Sequence, residues 1–223
     1  SNKYDDMDKS KVRIYDDLMV RHWDYWDDGS YLHVFAADFK DGKIVNGKDI
    51  IGADAAYDSP LAPYFDTAEI TLSPDGSLLA YTCKPLTGVE YALSTDSDIF
   101  LYNFATEETR NLSKEAAATG VDKFVGYDKY PVFSPDGKYI AWISMERAGF
   151  EADKQRLFII DVATRVKKEL SVNYKYNVTN PVWKSTSDGI YFCSLVNALQ
   201  GIFVSDLTGN ITRITPDDCW YDF

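Results

Sequence analysis

The chain has 223 residues, 45% of them hydrophobic and 26% charged, with 16 Tyr, 12 Phe and 5 Trp. That composition supplies a folded core and excludes disorder as the default. Its 35 acidic against 23 basic residues leave a formal charge of −12, which argues against nucleic acid or an anionic lipid surface as partner, and its apolar runs fall far short of the roughly 20 residues of a membrane span.

The chain opens Ser1-Asn2 without Met, which reads as the scar of a removed expression tag, with no charged and apolar leader behind it. The stretches "LMVRHWDYWDDG", "YLHVFAADF" and "KIVNGKDII" then read as the last three strands of a first unit, roughly residues 12–52. A second unit, roughly 65–113, begins with "LSPDGSLLAYT" from Leu72. Its SPDG is a type I turn in residue types: Pro74 presets φ at the second position, Asp75 suits the third and Gly76 the fourth. "DIFLYNFATEETRNLS" follows, an alternating strand, a polar turn and another strand.

"SKEAAATG", Ser113 to Gly120, reads as at most a short helical connector with a Ser cap. The third unit, roughly 130–171, repeats the second: "FSPDGKYIAWIS" with Pro135, Asp136 and Gly137, then "RLFIIDVATRVKKELS". A fourth, roughly 180–215, is "NPVWKSTSDGIYFCSL" and "GIFVSDLTGNITRIT", in which Ser187-Asp188-Gly189 is expected to take the place of SPDG. The closing residues 217–223, ending "CWYDF", read as the start of another unit. Four-stranded units in series predict an all-β chain, a partial β-propeller of about four four-stranded blades. A β-sandwich and a β-solenoid rank below it, since neither accounts for a repeated turn at this spacing.

Blade strands alternate up and down, so second-to-third strand connections share a face with the connections between blades. Three of the former are enlarged: "DYWDDGS", Lys84 to Asp98, and Met145 to Gln155. That face is the predicted binding or docking surface, although loops there also lengthen where nothing opposes it.

Catalytic chemistry is largely absent. No two Gly have the Gly-x-Ser-x-Gly spacing, which removes a nucleophile elbow. Only His22 and His33 exist, in no metal-binding pattern; His22, beside Trp23, reads as a packed structural His. "DYWDDG" places Trp26 where a calcium loop needs oxygen. Glu107-Glu108 lies at a hairpin tip. Cys83, Cys193 and Cys219 are odd in number and have no CxxC; the first two fall in strands, as small core hydrophobes. Asn111, Asn177 and Asn210 head Asn-x-Ser/Thr triplets that fit turns or strand ends equally. Trp23, Trp26, Trp142 and Trp183 are expected between blades. No cofactor or metal is expected.

The SPDG repeats resemble TolB-type propeller repeats. "DDLMVRHWDYWDDGSYLHVF", "ALSTDSDIFLYN" and "MERAGFEADKQRLF" resemble the amino-terminal propeller of prolyl oligopeptidase-class (S9) serine peptidases, of the dipeptidyl-peptidase 5 and acylaminoacyl-peptidase-like kind. The likeness runs from about Val12 to Thr215. It implies a propeller that screens peptide substrates for an α/β-hydrolase domain in cis, a domain these residues do not contain, and it implies export to the periplasm in bacteria. No catalytic residue of that family falls on this chain. Candidate substrate contacts on the enlarged-loop face are Glu90, Arg147, Phe150 and Glu151, with Arg147 and Lys154 equally able to brace the loop by pairing with Glu151 and Asp153. A non-enzymatic TolB-like propeller binding a protein or peptide is the alternative. Unpaired blade flanks would favour self-association.

Overall fold

A computed structural model of the chain describes residues 14–22, 24–59, 67–114 and 125–223. In chain order, β1 (Arg21–His22) pairs with β2 (Tyr25–Trp26), and β3 (Phe35–Lys40) with β4 (Lys43–Asp49). Three four-stranded antiparallel sheets follow. The first holds β5 (Ile70–Leu72), β6 (Leu78–Cys83), β7 (Asp98–Asn103) and β8 (Thr109–Asn111), with a one-turn-and-a-half helix, α1 (Gly88–Leu93), between β6 and β7. The second holds β9 (Asp128–Phe133), β10 (Tyr139–Ser144), β11 (Arg156–Asp161) and β12 (Lys167–Glu169). The third holds β13 (Thr179–Trp183), β14 (Gly189–Val196), β15 (Leu199–Asp206) and β16 (Ile211–Arg213). The chain is nearly all β, and its units stand in series without closing into a ring.

The SPDG turns form as their residues dictate. Gly76 N donates to Ser73 O at 2.8 Å and Gly137 N to Ser134 O at 2.8 Å. Asp75 and Asp136 accept from the hydroxyls of Ser73 and Ser134 and from the amides of Ser77 and Lys138, so each carboxylate ties both arms of its turn. Four such donors pull the Asp75 carboxyl down to about 2, the Ser73 hydroxyl foremost.

In the fourth unit the register differs from expectation. Lys184 N donates to Gly189 O and Ser187 N to Lys184 O, which matches the Ser134–Tyr139 and Gly137–Ser134 bonds. Ser187, at φ 59°, therefore occupies the glycine position. Asp188 moves to the next one, where Thr186 Oγ1 donates to it and Lys184 Nζ pairs with it at 2.8 Å. Gly189 is the first residue of β14, and a Cβ there would approach Ser205 O to 2.8 Å. Gly189 thus meets the demand of close packing rather than of a turn.

The outer hairpins repeat as well. Asn103 and Asp161 each accept two backbone amides ahead of them, from Ala105 and Thr106 and from Ala163 and Thr164. Asp206 accepts from Thr208 N and Asn210 N. The hydroxyls of Ser113, Ser171 and Thr215 accept from Ile99 N, Leu157 N and Ile202 N. Ser113 thereby serves β7; residues 115–120 of the expected helical connector lie outside the described residues.

One bond recurs where the chain passes from unit to unit. Ser59 N donates to Leu32 O, Asp128 N to Ser97 O, Val178 N to Gln155 O and Tyr221 N to Gln200 O, all at 2.8–3.0 Å. Each pins the entry of one unit to the third strand, or its approach, of the unit before.

The first unit departs most from the sequence reading. Strands β1 and β2 pair separately from β3, where a further strand was expected. The cause is local: Asp27 accepts Gly29 N at 2.8 Å, Asp28 accepts Ser30 N at 2.9 Å, and Gly29 takes φ 78°. These turns end the extended run before it reaches β3.

Packing is unit against unit. Val34, Ile50, Leu79 and Tyr81 join the first to the second; Ile99, Phe133, Ile140 and Trp142 the second to the third; Leu157, Leu170, Val178 and Phe192 the third to the fourth. Trp142 is 1% exposed and stacks on Phe158, and Trp183 is buried with its indole donating to Val132 O. Trp26 corrects the expectation: it is 58% exposed, because the separate hairpin carries it away from the inter-unit core. Trp23 lies outside the described residues. Cys83 and Cys193 are buried strand residues. No described helix is long and apolar enough to cross a membrane.

Candidate functional site

The enlarged loops gather on one face, opposite the SPDG turns. The connection 84–97 is organised by Lys84, whose ammonium donates to Tyr91 O and Ser94 O, both at 3.0 Å. It thus caps the C-terminal end of α1 with a positive charge. Burial, with Lys129 nearby, pushes the Lys84 ammonium down to about 8.

The connection 145–155 is braced by a buried carboxylate. Asp153 accepts Arg147 N at 2.7 Å and Arg147 Nε at 2.9 Å and pairs with the end of the same guanidinium. The guanidinium lies 3.9 Å from the centre of the Phe150 ring. Lys154 donates to Ser171 O and Tyr174 O instead of to a carboxylate. Gly149, at φ 71°, gives its N–H to Thr95 Oγ1 at 2.9 Å, joining this loop to the 84–97 loop.

Of the four candidate contacts, the structure brings Arg147 and Phe150 together in that brace. Glu151 accepts the Tyr127 hydroxyl at 3.3 Å. Glu90 is exposed on α1. None of the four lines the opening beside α1.

That opening is a cavity of about 570 Å³ between the first unit's loop, the 56–58 segment and the start of α1. Its walls include Trp26, Tyr31, Tyr57 and Tyr91, with Asp27, Asp28 and Asp58, and no lysine or arginine among the described residues. His22, half-buried on β1, also lines it. Asp58 is partly buried, accepts Leu32 N at 2.7 Å, and is held above the ordinary carboxyl range by burial. His33 fixes the same wall from behind: Nδ1 lies 2.7 Å from Asp49 Oδ2 and Nε2 3.1 Å from Ala55 O. A second cavity of about 570 Å³ lies between the inner strands β5, β9 and β13, with Tyr130-Pro131 and Asn180-Pro181 in its wall and no charged lining among the described residues. Tyr130 and Asn180 both have positive φ, at 59° and 51°, where β9 and β13 shift register against their neighbours. Glu107 and Glu108 are exposed at their hairpin, Glu107 pairing with Lys48.

Behind the loops lies a buried polar cluster between the second and third units. Asp98 binds Lys114 Nζ at 3.1 Å and Asn111 Nδ2 at 2.7 Å, and Lys167 Nζ donates to Ser113 O at 2.6 Å. Asp128 is enclosed among them with one carboxylate oxygen lacking a hydrogen-bond partner. Burial pushes its carboxyl up to about 7, against the Ser113 and Ser144 hydroxyls, with Asp98 adding to the rise and Lys167 opposing it. Among the described residues no group of three or more His, Cys, Asp or Glu side chains is placed to hold a metal ion.

No family model matches the chain. It is 42% identical over 213 residues to dipeptidyl-peptidase 5 of Porphyromonas gingivalis, covering 95% of this chain and 30% of that one. It is 30% identical over 164 residues to dipeptidyl-peptidase 5 of Aspergillus fumigatus, covering 70% and 23%. The chain therefore spans about 30% or less of the length of these curated relatives. Among solved structures it is similar to TolB from Acinetobacter baumannii, with TM-score 0.44 and 17% identity over 68% of this chain and 33% of that one. It is likewise similar to the β-propeller domain of the Trilobed protease from Pyrococcus furiosus, with TM-score 0.43 and 16% identity over 64% and 41%. Sequence kinship across nearly the whole chain, on four-stranded units packed in series, makes this a β-propeller segment similar to the matching part of the dipeptidyl-peptidase 5 relatives.

Proposed function

We propose that the chain is the substrate-gating part of the propeller of a serine exopeptidase, of dipeptidyl- or acylaminoacyl-peptidase type, acting on short peptides. The chain itself contributes no catalytic residue; acyl transfer belongs to an α/β-hydrolase domain in cis. The observation that carries this reading is the cavity of about 570 Å³ walled by the first and second units' loops. It is large enough for a residue or two of a peptide and too small for a folded domain. Arg147, Phe150, Glu151 and Glu90 lie on the neighbouring loops, where they would meet the rest of the peptide. The reading includes association of copies through the flank that exposes Phe35, Phe39 and Ile44.

The test is to incubate the pure chain with a dipeptidyl chromogenic substrate and, separately, with fluorescent tripeptides. Binding of the peptides without hydrolysis is expected. Hydrolysis by the chain alone overturns the reading, as does capture of a folded protein in place of short peptides.

A further inference from the structure

The repeat supplies an internal control for one cavity residue. Asp58 and Asn177 are matched positions, each immediately before the residue that makes the crossing bond, Ser59 and Val178. They also do the same structural work. Asp58 Oδ1 accepts Leu32 N at 2.7 Å, and Asn177 Oδ1 accepts Gln155 N at 3.0 Å, Leu32 and Gln155 being the matched acceptors of the crossing bonds. A neutral amide oxygen therefore suffices for the fold at this position. The negative charge of Asp58 is surplus to it.

That charge also stands where it costs most. Asp58 is partly buried, and it forms no ion pair with a lysine or arginine among the described residues. The charges that act on it are His33, which is engaged with Asp49, and Asp27, which repels it. Lys84, which follows β6, spends its donors on Tyr91 O and Ser94 O. Around the carboxylate the cavity wall is aromatic, with Tyr31, Tyr57 and Tyr91. A desolvated carboxylate among electron-rich ring faces favours a cation with an apolar body.

We propose that Asp58 anchors the ammonium group of a ligand entering this cavity, with the tyrosine rings covering the carbon skeleton beside it. The peptide-gating reading bears only on which ligand brings the ammonium group. Binding neutralises the carboxylate without disturbing its bond to Leu32, so Asp58→Asn separates charge from structure, as Asn177 does in the third unit.

The probes are 2-phenylethylamine and its uncharged counterpart 2-phenylethanol, titrated into the 223-residue chain and followed by NMR shifts. For Asp58→Asn an unchanged thermal midpoint, a loss of amine affinity of about tenfold and unaltered alcohol affinity are expected. Equal amine affinity in the two proteins overturns the proposal, as does wild-type chain binding amine and alcohol alike. Asp58→Ala removes the Leu32 bond as well; binding lost there but kept in Asp58→Asn assigns a purely structural role and also overturns it. A free-amine tripeptide and its N-acetyl form distinguish the two readings. Amine binding at Asp58 with no peptide binding leaves this inference standing and defeats the gating function. Peptide binding indifferent to Asp58→Asn and to acetylation does the reverse.

Discussion

Replacing Asp128 with Asn should stabilise the chain, by an amount that depends on pH in a defined way. Asp128 is enclosed between the second and third units, and its carboxyl is held at about 7 against 3.8 for an ordinary one, chiefly by burial. Below about pH 4 the group is protonated in both folded and unfolded chains and contributes no difference. Between about pH 4 and about pH 7 the folded chain keeps the proton while the unfolded chain releases it, so folding becomes less favourable as pH rises. Above about pH 7 both are ionised and the penalty is complete. The shift of about 3 units corresponds to about 4 kcal/mol. Asparagine keeps the shape, can accept from Ser113 or Ser144, and removes the buried charge. The assay is urea unfolding of wild type and Asp128→Asn at several pH values, taking the difference so that titration of the other carboxylates cancels. The variant's advantage should be near zero at about pH 4 and grow toward about 4 kcal/mol by about pH 8. A flat difference, or a variant less stable at about pH 8, would show that Lys167 and the two serine hydroxyls satisfy the carboxylate and that the argument from desolvation is wrong.

Gly76 and Gly189 should respond differently to alanine. Gly76 needs only its φ of 72° and has no atom within 4 Å of an added Cβ, so about 1 kcal/mol is expected; Gly189→Ala drives a Cβ against Ser205 O at 2.8 Å and should cost about 2–3 kcal/mol, an order that denaturant melts can reverse or confirm. Phe39 and Ile44 face each other across β3 and β4, each 77% exposed, so Phe39→Lys with Ile44→Lys should convert a concentration-dependent mass in light scattering to that of a monomer. A wild-type chain that scatters as a monomer at every concentration refutes that prediction.

The architecture was legible because Ser, Pro, Asp and Gly do local work: the SPDG turns need no tertiary context, and the same hydroxyl and carboxylate bonds recur in both copies. The fourth unit misled for the complementary reason. Asp188-Gly189 has the residue types of a turn, but pairing of Lys184 with Gly189 sets the register, and Ser187 accepts the strained φ. Helix α1 escaped notice because six residues are too few for a periodic signal. The cavity was not legible at all, since its walls come from residues far apart in the chain. Trp26 reads as core by type and is exposed because a turn, Asp27 to Ser30, displaced its hairpin. Asp58 could have been found: aligning the units on their crossing residues sets it beside Asn177 and exposes the extra charge.

The crossing bonds have a consequence for how such a molecule can change. Three connections of very different length, fourteen residues between β6 and β7, eleven between β10 and β11, and two between β14 and β15, end on the same pinned frame at Ser97, Gln155 and Gln200. Because the far end of each connection is held by the entry of the next unit, lengthening one costs little more than the entropy of closing it. The loops are interchangeable parts on a standard mount, and a new specificity can be fitted at one blade without retooling its neighbours.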